Sequence, residues 1–315
     1  MDPPPSGPAV EGRRAPERPP REPVPMPRGP AESAIEPSDG LAGQFGTSLD
    51  SSLRRFGRML FDAFPAFETQ LRLGRSVYAD AIVRLTCWRY NRRHSAPIEP
   101  YRVAWVDPGR IVRLSARSTR PRFRRFGTVA DGDWDRCEIR FRDTDVFCAF
   151  ESHYKDGVPW DETAFFDRVV AEIDDGRERW GCTSRADFYD RCDRLDQLYE
   201  SIREHGFLSQ RQLVESGVDD PIERRRQTVA ERIINDEIAV DVGRDGELLF
   251  SDGRNRLAIA KVLGVEVVPV VIFRRHDEWA ACRDAVATFL EDGGELRGRL
   301  RDHPDLAPLI ENART

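Results

Sequence analysis

Lysine is nearly absent from this 315-residue chain: Lys155 and Lys261 are the only two among 49 basic residues. Positive charge is therefore almost entirely arginine. Acidic residues number 55 and the net charge is -6, a composition that suits a GC-rich genome and carries no function. Long apolar runs are missing too. No stretch reaches the 18 or more apolar residues of a membrane span, and the first residues lack the apolar core of a secretion signal. A cytoplasmic protein is expected. The six cysteines (Cys87, Cys137, Cys148, Cys182, Cys192, Cys282) form no C-x-x-C pair, which argues against a zinc site or a disulfide scaffold and for free thiols. The five histidines fall in no metal-ligating spacing, so no metal site is expected. Neither a nucleophile elbow, a Walker loop nor a dinucleotide glycine fingerprint occurs. An enzyme built on this chain would have to work through a phosphate-binding turn and acidic side chains.

What is present supports an α/β (α+β) protein with a core: 39% of residues are hydrophobic, 33% are charged and the mean hydropathy is -0.57. The length allows two domains, or one large domain with a tail. Residues 1–50 are rich in proline and poor in large apolar side chains. Such a segment cannot offset its ordering entropy by burial, and a disordered tail with few core contacts is expected. Pro19-Pro20 or Pro25-Met26-Pro27 offer docking motifs within it. Residues 51–180 read as a basic helical region followed by a mixed α/β region, 181–290 as a second domain, and 291–315 as a helical extension. Leu53, Phe56, Met59, Leu60 and Phe64 share one helical face until Pro65, and residues 68–93 supply one longer helix or two shorter ones. A basic amphipathic helix of this kind lies on a membrane surface or packs on its own domain.

Charge is divided unevenly. Residues 51–130 carry 17 arginines against 5 acidic residues, whereas residues 131–315 are strongly acidic. Arg110, Arg113, Arg117, Arg120, Arg122, Arg124 and Arg125, interleaved with Trp105, Phe123 and Phe126, offer two readings: a grip on nucleic acid, or a partner for the acidic half of the same chain. Residues 101–106 and 137–141 read as strands, 163–174 and 184–205 as helices. Two acidic turns, 131–135 and 160–163, have carboxylates placed to hold Mg²⁺ or Ca²⁺, but the first lacks a full oxygen-ligand series and the second resembles an acidic helix start. With Trp180-Gly181-Cys182 they form a tryptophan-bearing set of loops.

The most informative segment is 247–273. Leu248, Leu249 and Phe250 make a short strand that stops at Ser251-Asp252-Gly253. Asp252 is expected as an N-cap. Leu257, Ile259, Ala260 and Leu263 keep helical spacing up to Gly264, and residues 265–273 suit a strand buried on both faces. A turn of this kind aims backbone N–H groups from a helix N-terminus, with Arg254 and Arg256 beside them, at a phosphate or carboxylate.

Asp252, Gly253, Arg256, Ala258, Ala260, Leu263, Gly264 and Val268-Pro269-Val270 together resemble the signature of the ParB/sulfiredoxin-like superfamily. Upstream, residues 195–206 are similar to the helix that precedes it. The resemblance covers about residues 190–275, interrupted by a segment at 207–235 that compact members lack. It implies a phosphate- or nucleotide-binding domain whose ligand lies on Gly253 and Arg256, with Asp252 in some members; Arg254 and Asn255 of the same turn complete the candidate site, and a nucleotide with Mg²⁺ is the candidate cofactor. Family members include a nucleotide-switched chromosome-partition protein, a cysteine sulfinic acid reductase and a free-serine kinase. The reductases carry cysteine directly after the turn glycine, where this chain has Arg254. Three functions follow as alternatives: binding of a phosphorylated small molecule or nucleotide without turnover; a phosphotransferase or nucleotide hydrolase, with Asp236 or Glu237 as carboxylate; and a DNA-associated factor using residues 51–130.

Overall fold

The computed structural model describes residues 23–26, 68–116, 118, 120–218, 220–222 and 228–314. The amphipathic segment at 53–65 and most of the proline-rich tail lie outside these residues. Among them, no helix is long and apolar enough to cross a membrane.

A mixed sheet runs through the molecule. Its strands are β1 (Val103–Val106), β2 (Thr128–Ala130), β3 (Ile238–Val242), β4 (Leu248–Asp252) and β5 (Val268–His276), ordered β1-β5-β3-β4. One edge of β5 pairs antiparallel with β1 at Val268–Val271 and parallel with β2 further on, at Arg274–His276. Its other edge pairs parallel with β3, which forms an antiparallel hairpin with β4. Strands upstream of residue 180 thus share a sheet with those downstream. The two apolar segments expected as strands around the turn form them, with two changes. β4 continues to Asp252, and β5 starts at Val268, leaving Val267 outside the strand and exposed.

Period-two alternation puts side chains on opposite faces of the sheet, and both faces are covered. Ile238, Val240, Val242, Val268 and Val270 join the larger core, with the helices α2 (Asp145–Asp156), α3 (Ala164–Asp174) and α4 (Arg185–His205). Ala239, Val271 and Phe273 join the smaller one, with α1 (Glu68–Asn91) and α6 (Val229–Asp236). Short α5 (Gln210–Ser216) precedes α6, and α8 (Asp277–Glu291) and α9 (Ala307–Ala313) complete the chain. The helix after the turn, α7 (Arg254–Leu263), is buried at every position from Arg256 to Val262. It packs on β3, α2 and α4.

Local signals account for the helix starts. Thr144, Thr163 and Thr228 each accept a backbone N–H at the first turn of α2, α3 and α6, while Ser184 and Ser209 close capping boxes on α4 and α5. Residues 137–141 do not form the expected strand. Their only bridge is Arg140 to Arg113, after which the chain turns into a 3₁₀ segment at Phe141–Asp143.

The tail departs from expectation as well. Val24 bridges Thr144 in parallel: its N–H donates to Asp143 O at 2.8 Å and its carbonyl accepts from Asp145 N at 2.9 Å. The Met26 N–H donates to Asp145 Oδ1 at 2.9 Å, and the Met26 side chain is buried in the larger core. Proline removes donors on either side, yet the two remaining N–H groups are the ones the groove accepts. Residues 23–26 therefore make the core contacts that composition alone argued against. Met26→Ala should lower unfolding stability by about 2 kcal/mol, read from the denaturation midpoint. An unchanged midpoint would show that the segment adds nothing to the fold.

Candidate functional site

β4 ends and α7 begins on the wall of a cleft of about 330 Å³. Asp252, Gly253, Arg254, Asn255 and Arg256 all line it. Trp180, Arg122 and Arg191 come from upstream, Asp220 from the 207–235 segment and Asp236 from the last position of α6, completing a wall that the local motif did not contain.

Gly253, not Asp252, is the residue at the helix entry. It adopts φ 90° and ψ 33°, a left-handed conformation that favours glycine. A Cβ there would meet Ile238 Cα at 2.9 Å and Glu237 O at 3.4 Å. The need for glycine thus comes from close packing of the turn on β3, rather than from room for a ligand. Asp252 stays extended and turns its Oδ1 onto the Gly253 N–H at 2.9 Å. No side chain caps the first turn of α7, in contrast to α2 through α6.

Charge around the turn is tightly arranged. The second oxygen of Asp252 lies 3.3 Å from both Arg122 Nη1 and Arg125 Nη2. Arg122 also reaches the end of α6, donating to Ile234 O and Glu237 O at 2.6 Å each. Burial alone would raise the Asp252 carboxyl, but Arg122, Arg125 and Arg254 outweigh it and bring the pKa to about 2. Arg254 stacks over the indole of Trp180, 4.6 Å from the ring centroid. That indole sits on a two-residue turn closed by reciprocal hydrogen bonds between Arg179 and Cys182, with Trp180 at φ 56° and Gly181 at φ 75°. A bulky residue at positive φ costs about 1–2 kcal/mol, so neighbouring contacts must hold it there. Phe165, edge-on at 5.0 Å, is one of them.

Arg256 does not project into solvent. Its side chain is 9% exposed and forms an ion pair with Asp220, itself 3% exposed. The sequence pattern suggested a ligand-facing arginine; the 207–235 segment instead brings a carboxylate down onto it. The two acidic candidates separate in the same way. Asp236 lines the cleft, whereas Glu237 lies wholly buried beneath it. Glu237 Oε2 accepts the Gln210 N–H at 2.9 Å, and Oε1 has no partner. Burial pushes its pKa up to about 7, against smaller opposing effects of the Gln210 N–H, Arg256 and Arg122.

Several arginines of the basic block pair with carboxylates of the same chain. Arg113 pairs with Glu247, Arg102 with Glu311, and Arg122 and Arg125 with Asp252. The first acidic turn is clasped by Arg244, which reaches Asp133 and Asp135. In the second, Asp161 accepts the Tyr189 hydroxyl at 2.9 Å. No protein-family model, curated protein or solved structure matches the chain.

Arg256→Ala would strand Asp220 as an unpaired buried charge, so a stability loss of about 3–5 kcal/mol is expected. The double variant Arg256→Met with Asp220→Leu should recover much of it, measured by denaturant unfolding. Glu237 supplies a pH test. Its folded pKa is raised, so the folded state holds a proton that the unfolded chain releases above about pH 4.5. Its contribution is full below that pH and is lost as pH rises through about 7, by roughly 3 kcal/mol. Wild type should therefore lose stability relative to Glu237→Gln between pH 4.5 and 7.5, and parallel profiles would refute the assignment.

Proposed function

We propose that the chain binds a phosphorylated small molecule or nucleotide in the cleft at Gly253, in the manner of ParB/sulfiredoxin-like domains. The observation that carries this reading is the uncapped first turn of α7 opening on a cleft walled by Arg122, Arg191 and Arg254. Helix N-termini leave backbone donors without intrahelical partners and carry partial positive charge, which suits a phosphate. Arg254, at the first helical position, is the side chain placed to close on that phosphate; Arg256 supports the helix from inside through Asp220. The cleft is also large enough to take more than a bare phosphate.

Mg²⁺ would arrive with the nucleotide, held by phosphate oxygens, because Asp220 and Asp252 are already engaged by arginines. Turnover, as phosphotransfer or hydrolysis, would use Asp236, a carboxylate on the cleft wall. Binding without turnover needs only the turn and its arginines.

A nucleotide panel titrated calorimetrically, with and without Mg²⁺, tests the reading. Arg254→Ala should weaken the best ligand roughly tenfold to a hundredfold, the loss of one charge-assisted hydrogen bond, with the melting temperature nearly unchanged. No saturable binding across the panel would overturn the proposal. Product release by wild type and not by Asp236→Asn would establish turnover.

A further inference from the structure

A second cavity, of about 150 Å³, shares no lining residue with the cleft at Gly253. It lies between α1, the β1 end of the sheet and the segment leading into α9. Its floor is charged. Arg275 and Arg283 are 5% and 1% exposed, and the one buried carboxylate beside them is Asp305, 3% exposed.

Asp305 is largely taken by one of the two arginines. Arg275 donates to it through Nε at 2.9 Å and Nη2 at 2.5 Å, and Trp279 Nε1 adds a bond at 2.9 Å. Arg283 Nε lies 3.3 Å from Asp305 Oδ2 but makes no hydrogen bond. Its other donors meet neutral acceptors, the Tyr90 hydroxyl at 2.9 Å and Pro97 O at 3.2 Å. Of the other titratable neighbours, Tyr90, Cys87 and His303 add no negative charge, and Glu99, also in the lining, has its side chain 67% exposed. Burial raises both Tyr90 and the Cys87 thiol, the latter to about 11. His303 is lowered by burial and bonds as a neutral ring, accepting the Asp305 N–H and donating to Gly246 O. At the rim Arg102 pairs with Glu311 and Glu99, whose side chains are 63% and 67% exposed. Two guanidiniums thus face one carboxylate in the interior. A guanidinium does not escape by losing its proton, and an uncompensated buried charge is costly.

Ile98, Ala104, Phe126, Ile272 and Pro308 give the lining an apolar wall, beside which stand the amides of Asn91 and Asn312. A cavity of this volume takes a molecule about the size of benzene, which an inorganic anion would leave largely unfilled. We propose that this cavity binds a small organic carboxylate of about benzoate size, its head on the guanidiniums of Arg283 and Arg275 and its body against the apolar wall. Arg102 and Glu99 complete the lining.

The full chain, titrated with sodium benzoate and sodium butyrate at fixed ionic strength, provides the test. Melting temperature should rise saturably with a carboxylate and not with benzyl alcohol or butanol, the neutral counterparts. Because Arg275 and Arg283 are structural, the control variant is Ala104→Met, which fills the cavity without touching the charges. It should weaken carboxylate binding at least about tenfold while the unliganded protein still melts cooperatively. No saturable shift below about 10 mM carboxylate, a Kd ceiling already far weaker than micromolar binding, would overturn the site. Equal shifts from the neutral counterparts, or shifts from chloride or phosphate alone, would overturn its ligand class.

Discussion

Buried guanidiniums and the carboxylates that answer them tie the layers of this molecule together. Arg125, Arg256, Arg274, Arg275 and Arg283 are all withdrawn from water, and each meets a carboxylate far away in sequence or across a layer. Arg274 on β5 pairs with Asp241 on β3 at 3.0 Å and shares Ser115 with it, while its guanidinium lies 3.9 Å from the Trp134 ring centroid. On the adjacent residue, Arg275 takes Asp305 from the C-terminal segment. Consecutive positions of one strand thus fasten opposite faces. Removing one member of such a pair costs about 3–5 kcal/mol, a large share of the 5–15 kcal/mol that holds a typical domain together. The scarcity of lysine belongs with this design, since a buried lysine gives up its proton more readily than arginine. Lys261, one of the two, is buried and its pKa is pushed down to about 8.

The same constraint shapes the cleft. Asp252 and Arg256, two positions of the resemblance, are held by charges from elsewhere: Arg122 and Arg125 on one side, Asp220 on the other. What faces the cleft is then the uncapped helix end and the next ring of side chains, above all Arg254 over Trp180. The 207–235 segment narrows the chemistry as well as the space, because it supplies the carboxylate that neutralises Arg256, while Asp236, just after it, lines the wall.

Sequence by itself determined the strands and helices around 238–276, because their signals are local: an alternating or continuous apolar run, a positive-φ glycine, a helix that stops at Gly264. It also singled out Asp252 to Arg256 as one turn, and those residues line one cleft. Which of those side chains are held by other residues was decided only by the tertiary structure. Asp220 is 36 residues from Arg256, and Arg122 is 130 residues before Asp252, so no local pattern records either pairing. Gly253 was legible as a glycine position, but its reason, the approach of Ile238, required β3 to lie against the turn. Met26 shows the same division. Composition describes how a proline-rich segment behaves on average, whereas two N–H groups and one thioether find their partners only once α2 and its preceding turn have been assembled.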